Sequence, residues 1–254
     1  MTTLTGARRD PAVTVWVVAG ACWLLTAWLV VSGGHELGHH DVVLDGSPWP
    51  WPWPMRIAGF LAVWLVMIGA MMLPTVVPLV RLFAVVAARA PRPGRALAAL
   101  GAGYVAVWAA FAPIALLGDT GVHALVDRWA WLAARPELVM GATLTLAGLF
   151  QFSRLKNACL TACRSPVGVV WQHYGRGAGA AWRMGLRHGL SCLGCCWALM
   201  LVMFGTGVGS LAWMLALTAV MVAEKTTRWG ARLVTPVGSA LLAAGLTVSI
   251  GGLL

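Results

Sequence analysis

Apolar segments of about 20 residues recur along the whole chain, and they constrain the fold more than any other feature. A helix of that length crosses the roughly 30 Å hydrocarbon layer of a bilayer. Because a backbone in lipid has to satisfy its own hydrogen bonds, such segments form helices. Charged residues make up only 10% of the 254 residues, against about a quarter in soluble domains. We therefore expect one all-α domain, residues 1–254, built as a polytopic membrane helical bundle of about seven helices near residues 13–32, 57–80, 96–117, 136–153, 187–206, 209–223 and 234–253.

The basic residues are distributed unevenly between the two sides of this predicted bundle. With a cytoplasmic N-terminus, Arg56, Arg128 and Arg135 lie outside and the rest of the 18 basic residues lie inside. This asymmetry follows the positive-inside rule and predicts an N-in, C-out protein of the bacterial inner (plasma) membrane. The formal charge of +10 is then a topology signal. The predicted surface partner is the lipid bilayer, and nucleic-acid binding is not expected.

Five of the six cysteines lie in two short stretches, KNACLTACRSP and RHGLSCLGCC. Cys159 and Cys163 are four residues apart, so they share one face if the fourth helix continues as an amphipathic turn and ends at Pro166. The opening turns of the fifth helix carry the same four-residue spacing in His188, Cys192 and Cys196. Cys195 is one further thiol beside this row. A short cytoplasmic connection would let these two rows face each other. Cys22 stands alone in the first helix and is expected to be a packing residue.

These two rows predict a site for a soft transition metal. The reducing cytosol disfavours a structural disulfide, and thiolates select Cu(I), Zn(II) or an iron–sulfur cluster. The best interpretation is copper handling, with zinc or another soft transition metal as the alternative. The role would be transport, sensing, or delivery to a partner metalloprotein or from a metal chaperone. Two other interpretations stay open: a membrane thiol oxidoreductase that uses a quinone or a soluble partner, and a non-catalytic assembly subunit whose cysteines only pack.

Three further groups of residues carry weaker signals. Met71 and Met72, in MIGAMMLP of the second helix, offer thioether ligands at a comparable depth. The stretch HELGHHD places three imidazoles in an outer loop, and they would form a second, weaker metal site: His35, His39 and His40. Glu224 and Lys225 end the sixth helix and are expected to be interfacial anchors. No Walker motif, nucleotide fingerprint or G-x-S-x-G element is present. HELGH formally matches the H-E-x-x-H of zinc proteases, but it is expected at a helix end among glycines with no catalytic domain around it. These features favour a protein that is not an enzyme.

Four stretches carry a family resemblance: WLVMIGAMMLPTVVPLV, LKNACLTACRSP, GAAWRMGLRHGLSCLGCCWALMLVMF and AEK. Over about residues 64–225 they resemble, in the same order, an uncharacterised bacterial family of predicted metal-binding integral membrane proteins. The resemblance implies a polytopic inner-membrane protein with a metal site on the clustered cysteines and the histidine. It implies no reaction, and it does not extend to the outer histidines.

Overall fold

The computed structural model of the protein describes residues 10–33, 51–88, 90–206 and 210–253. Across these ranges the chain forms helices and turns, with no strand, so the predicted all-α class is confirmed. In chain order the helices are α1 (Pro11–Val31), α2 (Trp53–Ala87), α3 (Pro93–Arg128), α4 (Ala130–Ala133), α5 (Pro136–Gln151), α6 (Arg154–Arg164), α7 (Pro166–His173), α8 (Ala178–Thr206), α9 (Leu211–Thr226) and α10 (Gly230–Gly251).

Five of these helices are long and apolar enough to cross a membrane: α1, α2, α3, α8 and α10. A sixth span results if α5 and α6, whose axes differ by 64°, are counted together. Helix α9 has 16 residues, fewer than a typical spanning helix. A helical bundle compatible with membrane insertion is therefore present, while the seven spans and the N-in, C-out orientation stay predictions.

Several helix boundaries differ from the predicted ones. Helix α8 begins at Ala178 and not near residue 187, because its first turns carry basic residues that favour helix and lack a proline that would stop it. Cys192 therefore lies in the middle of α8, and not in its opening turns. Helix α2 runs through Pro74 and Pro78 to Ala87, since neighbouring helices in a bundle compensate for a proline's missing hydrogen bond.

The segment after residue 151 is a new helix, not the predicted continuation of α5. The Ser153 side chain accepts a hydrogen bond from the backbone N–H of Lys156 at 3.1 Å, which is an N-cap. Ser165 caps α7 in the same way through Gly168 at 3.2 Å, and Pro166 occupies the first helical turn. Pro166 thus begins a helix as well as following one.

Close contact between α3 and α8 sets the position of the thiols. A Cβ atom at Gly185 would meet the backbone carbonyl of Leu100, and one at Gly103 would meet the backbone of Trp182. Small residues at these points let the two backbones approach, as is common between membrane helices. Around this contact the core is rich in buried methionines, with members on α2, α8 and α9: Met67, Met71, Met72, Met184, Met200, Met203, Met214 and Met221. The thiols of α8 lie inside this soft, polarisable core.

Candidate metal centre

Sulfur atoms from three helices meet at the middle of α8. We call this group the sulfur cluster, and its members are Met72, Cys163, Cys192, Cys195 and Cys196. The Cys195 Sγ atom lies 3.9 Å from Cys163 Sγ on α6, and the Cys196 Sγ atom lies 3.9 Å from Met72 Sδ on α2. The prediction that the two cysteine rows face each other therefore agrees with the geometry.

The backbone of α8 orients two of these thiols. The carbonyl oxygen of Cys192 accepts hydrogen bonds from the thiols of Cys195 at 3.1 Å and Cys196 at 2.9 Å. All three cysteines of α8 are buried, as is Met72. Cys163 is only partly buried, so it forms the more accessible edge of the sulfur cluster.

Lys225 is the residue at this site whose role the sequence prediction missed. Its ammonium group donates to Cys192 Sγ at 3.0 Å, to Cys196 Sγ at 3.4 Å and to Met72 Sδ at 3.7 Å. The residue is only 7% exposed, so the prediction of an interfacial anchor is wrong for Lys225. The sequence held a signal for this burial, because Lys225 continues the helical spacing of Met214, Thr218 and Met221. The structure buries all three of those side chains.

Tyr104 of α3 completes the surroundings of Cys192. Its hydroxyl oxygen lies 3.0 Å from Cys192 Sγ, and the side chain is buried. Cys192 therefore has a phenol on one side and an ammonium group on another. The sequence offered little signal for Tyr104, since the contact joins residues 88 positions apart in the chain.

His188 lies next to the sulfur cluster with an unused nitrogen. The residue is 4% exposed, and its Nδ1 atom has no hydrogen-bond partner. Its ring packs near Tyr104, with the ring centroids 6.0 Å apart. His188 also lines a cavity of about 340 Å³ bordered by α6, α7 and α8. A buried nitrogen without a partner is costly, which makes His188 a candidate ligand facing an accessible cavity.

The remaining predicted ligands are not in the sulfur cluster. The Cys159 thiol packs against Gly194, where an added Cβ would lie 2.6 Å from its sulfur. Met71 is buried in the methionine-rich core. The outer histidines, His35, His39 and His40, lie outside the described residues. Cys22, the expected packing residue, lies against Gly69 of α2.

A buried ion pair holds the helices that carry the cluster. The Lys156 ammonium of α6 donates to Glu224 Oε2 of α9 at 2.7 Å, and Gln151 Nε2 of α5 donates to Glu224 Oε1 at 3.2 Å. Arg164 of α6 donates to the carbonyl oxygens of Glu224 and Thr227 at the end of α9. Glu224 is buried, so the anchor prediction is wrong for it too. These contacts fix α6, which carries Cys163, against α9, which carries Lys225.

The donor set of the sulfur cluster matches a soft metal, although the ligands are not gathered around one point. Within the described ranges, no three Cys, His, Asp or Glu side chains are close enough together to hold a metal ion. Thioethers are not among those residue types, and Cu(I) takes thioether as well as thiolate ligands. The cluster combines both kinds of sulfur, beside a histidine nitrogen that has no partner.

Comparison with known proteins gives one finding. A family model named PpoB2 and described as "Copper chaperone" matches residues 61–248. No curated protein and no solved structure matches the chain. The matched segment includes the whole sulfur cluster, Lys225 and His188, and it agrees with the metal-related family that the motifs predict. Because the match covers most of its length, the chain belongs to the copper chaperone family PpoB2.

Proposed function

We propose that the protein is an integral membrane copper carrier that holds Cu(I) on the sulfur cluster and passes it to a partner metalloprotein. The observation that carries the proposal is the meeting of thiol and thioether sulfur from α2, α6 and α8 in one buried place. Membership of the copper chaperone family supports copper as the cargo. Five long apolar helices support residence in a membrane.

Within each of two sulfur pairs, the separation suits two ligands of one metal ion. Two thiolates that each lie about 2.3 Å from a metal are about 4 Å apart in tetrahedral or trigonal geometry. The separations from Cys163 to Cys195 and from Cys196 to Met72 are both 3.9 Å. His188 lines the cavity beside α6, and its Nδ1 atom without a partner is a further candidate ligand.

Copper binding by variants tests this function. Reduced protein in detergent should bind about one Cu(I) per chain, measured by competition with a chromophoric Cu(I) chelator. Cys192→Ser should lose most of this copper because Cys192 is at the centre of the cluster, whereas Cys22→Ser should lose none because Cys22 packs between α1 and α2. Cys159→Ser separates two versions of the site: the sequence predicts loss of copper, and the contact with Gly194 favours retention. Full copper content in Cys192→Ser would refute the proposal.

One observation favours a second function, that of a thiol oxidoreductase. The cysteine pattern of the sequence is compatible with this function, and Cys163 and Cys195 are close enough for a disulfide after a modest movement. Their two thiols would give up two electrons and two protons to a quinone, which would become a quinol. Mild oxidation of copper-free protein followed by mass spectrometry tests it. A Cys163–Cys195 bond that forms reversibly, in a protein that binds no Cu(I), would make this the better function.

A further inference from the structure

The ammonium group of Lys225 occupies the space between three sulfur atoms. Cys192, Cys196 and Met72 surround it at 3.0, 3.4 and 3.7 Å. Placing a cation in a low-dielectric interior is costly unless other groups compensate it. The neighbouring carboxylate of Glu224 does not do so, because it is paired with Lys156 at 2.7 Å. The hydrogen-bond acceptors that surround the Lys225 ammonium group are three sulfur atoms.

The same sulfur atoms are the donors that Cu(I) would use. An ammonium group and a Cu(I) ion carry the same single positive charge, and both require the lone pairs of Cys192 and Cys196. The two cations cannot share the position, because like charges a few ångströms apart repel strongly in a medium of low dielectric constant. Copper therefore has to remove the ammonium group before it can use these ligands.

We propose that Lys225 is a tethered cation that holds the copper position of the sulfur cluster and is displaced when Cu(I) binds. This proposal rests on the proposed function, and it adds a residue that controls the affinity of the sulfur cluster for Cu(I). In the exchange the ammonium group leaves the sulfur atoms as Cu(I) arrives, and each protonated thiol that becomes a ligand releases its proton to solvent. One positive charge therefore remains beside the buried sulfur atoms with and without cargo. Lys225 competes with copper for the ligands, which lowers the affinity and eases release to a partner.

A purely structural role for Lys225 predicts the opposite change in Cu(I) affinity when the ammonium group is removed. If the ammonium group only held the sulfur atoms in place for copper, its removal would scatter the ligands and weaken binding. If it competes with copper, its removal tightens binding. The sign of one affinity change thus separates the two roles.

The first experiment compares Cu(I) affinity in full-length protein in detergent, under reducing conditions, by competition with bathocuproine disulfonate. Lys225→Leu removes the charge without adding a ligand, and we expect its Kd for Cu(I) to fall at least tenfold. Lys225→Arg keeps the charge and should stay within about threefold of the wild-type Kd. Arg228→Leu is the matched control, since it removes an exposed positive charge three residues away, and it should leave the Kd unchanged. An equal or weaker affinity in Lys225→Leu would overturn the proposal.

The second experiment uses the wild-type protein and so does not depend on a variant that folds. The chain has two lysines, Lys156 and Lys225. A small amine-reactive reagent should label Lys225 at least threefold more in copper-loaded protein than in copper-free protein, while the buried Lys156 serves as the internal control. Unchanged labelling of Lys225 on loading would also overturn the displacement. A wild-type protein that takes up no Cu(I) would refute the proposed function itself.

Discussion

Breaking the buried ion pair between Lys156 and Glu224 should destabilise the protein strongly. Their side chains are 0% and 2% exposed, and the charged atoms are 2.7 Å apart. At an effective dielectric constant of about 20, two unit charges at this distance attract by about 6 kcal/mol. Part of this is offset by the cost of burying both charges, and removing one partner of such a pair typically costs about 3–5 kcal/mol. We expect a loss in that range for Lys156→Met and for Glu224→Gln.

The double variant gives a more specific test of the ion pair than either single variant. Lys156→Met combined with Glu224→Gln leaves no unpaired buried charge, so its loss should be no larger than that of either single variant. The interaction energy of the double-mutant cycle should then be at least about 3 kcal/mol. Unfolding would be followed by tryptophan fluorescence as SDS is titrated into mild-detergent micelles. Arg81→Met is the control, because the Arg81–Asp10 pair is exposed (58% and 44%) and should be worth under about 1 kcal/mol.

An additive result would refute this reasoning. If the losses of the two single variants simply summed in the double variant, the two charges would not stabilise each other. Each side chain would then contribute through packing alone. The pair would in that case not be the contact that fixes α6 against α9.

Three further predictions concern orientation, the outer loop and helix packing. A periplasm-only reporter fused after Leu254 should be active, as the N-in, C-out topology requires, and activity of a cytoplasm-only reporter there would show a different number of spans. A synthetic peptide of Gly33–Asp45 should bind Cu(II) at micromolar concentration if the outer histidines form a site, and absence of binding would remove that site without affecting the sulfur cluster. Gly185→Leu should destabilise the protein by about 3 kcal/mol or more, because its side chain would meet the Leu100 backbone; unchanged unfolding in SDS would contradict the close α3–α8 contact.

Hydrophobic length and helical spacing were enough to predict the helical class and the facing cysteine rows. Each predicted segment overlaps a helix, and the fifth and sixth predicted segments correspond to two separate helices, α8 and α9. Cys163 and Cys195 do come together across two helices. Segment length and helical spacing are local properties, so a single sequence contains them. The connection from α6 to α8 is not short, because it includes the helix α7.

Features that depend on three-dimensional packing were not predicted. Hydropathy treats every lysine as a residue that avoids the interior, so Lys156 and Lys225 were counted with the cytoplasmic charges. Their burial depends on partners 68 and 33 residues away in the chain, Glu224 and Cys192. Cys159 shares a helical face with Cys163, yet the rotation of α6 directs its thiol at Gly194. That rotation follows from the bend after α5, which no periodicity in the sequence indicates.

The burial of the sulfur atoms has a kinetic consequence for copper transfer. Cys192, Cys195 and Cys196 are each at most 1% exposed, so a partner's ligand cannot approach a metal held among them from solvent. Among the described thiols of the sulfur cluster, only the partly exposed Cys163 allows an incoming donor to form a shared intermediate. Copper would then have to move from the buried sulfur atoms to Cys163 before an acceptor can take it, and the transfer rate would become independent of acceptor concentration once the acceptor is abundant. A step inside the protein, and not the encounter with the acceptor, would then limit the rate of copper release.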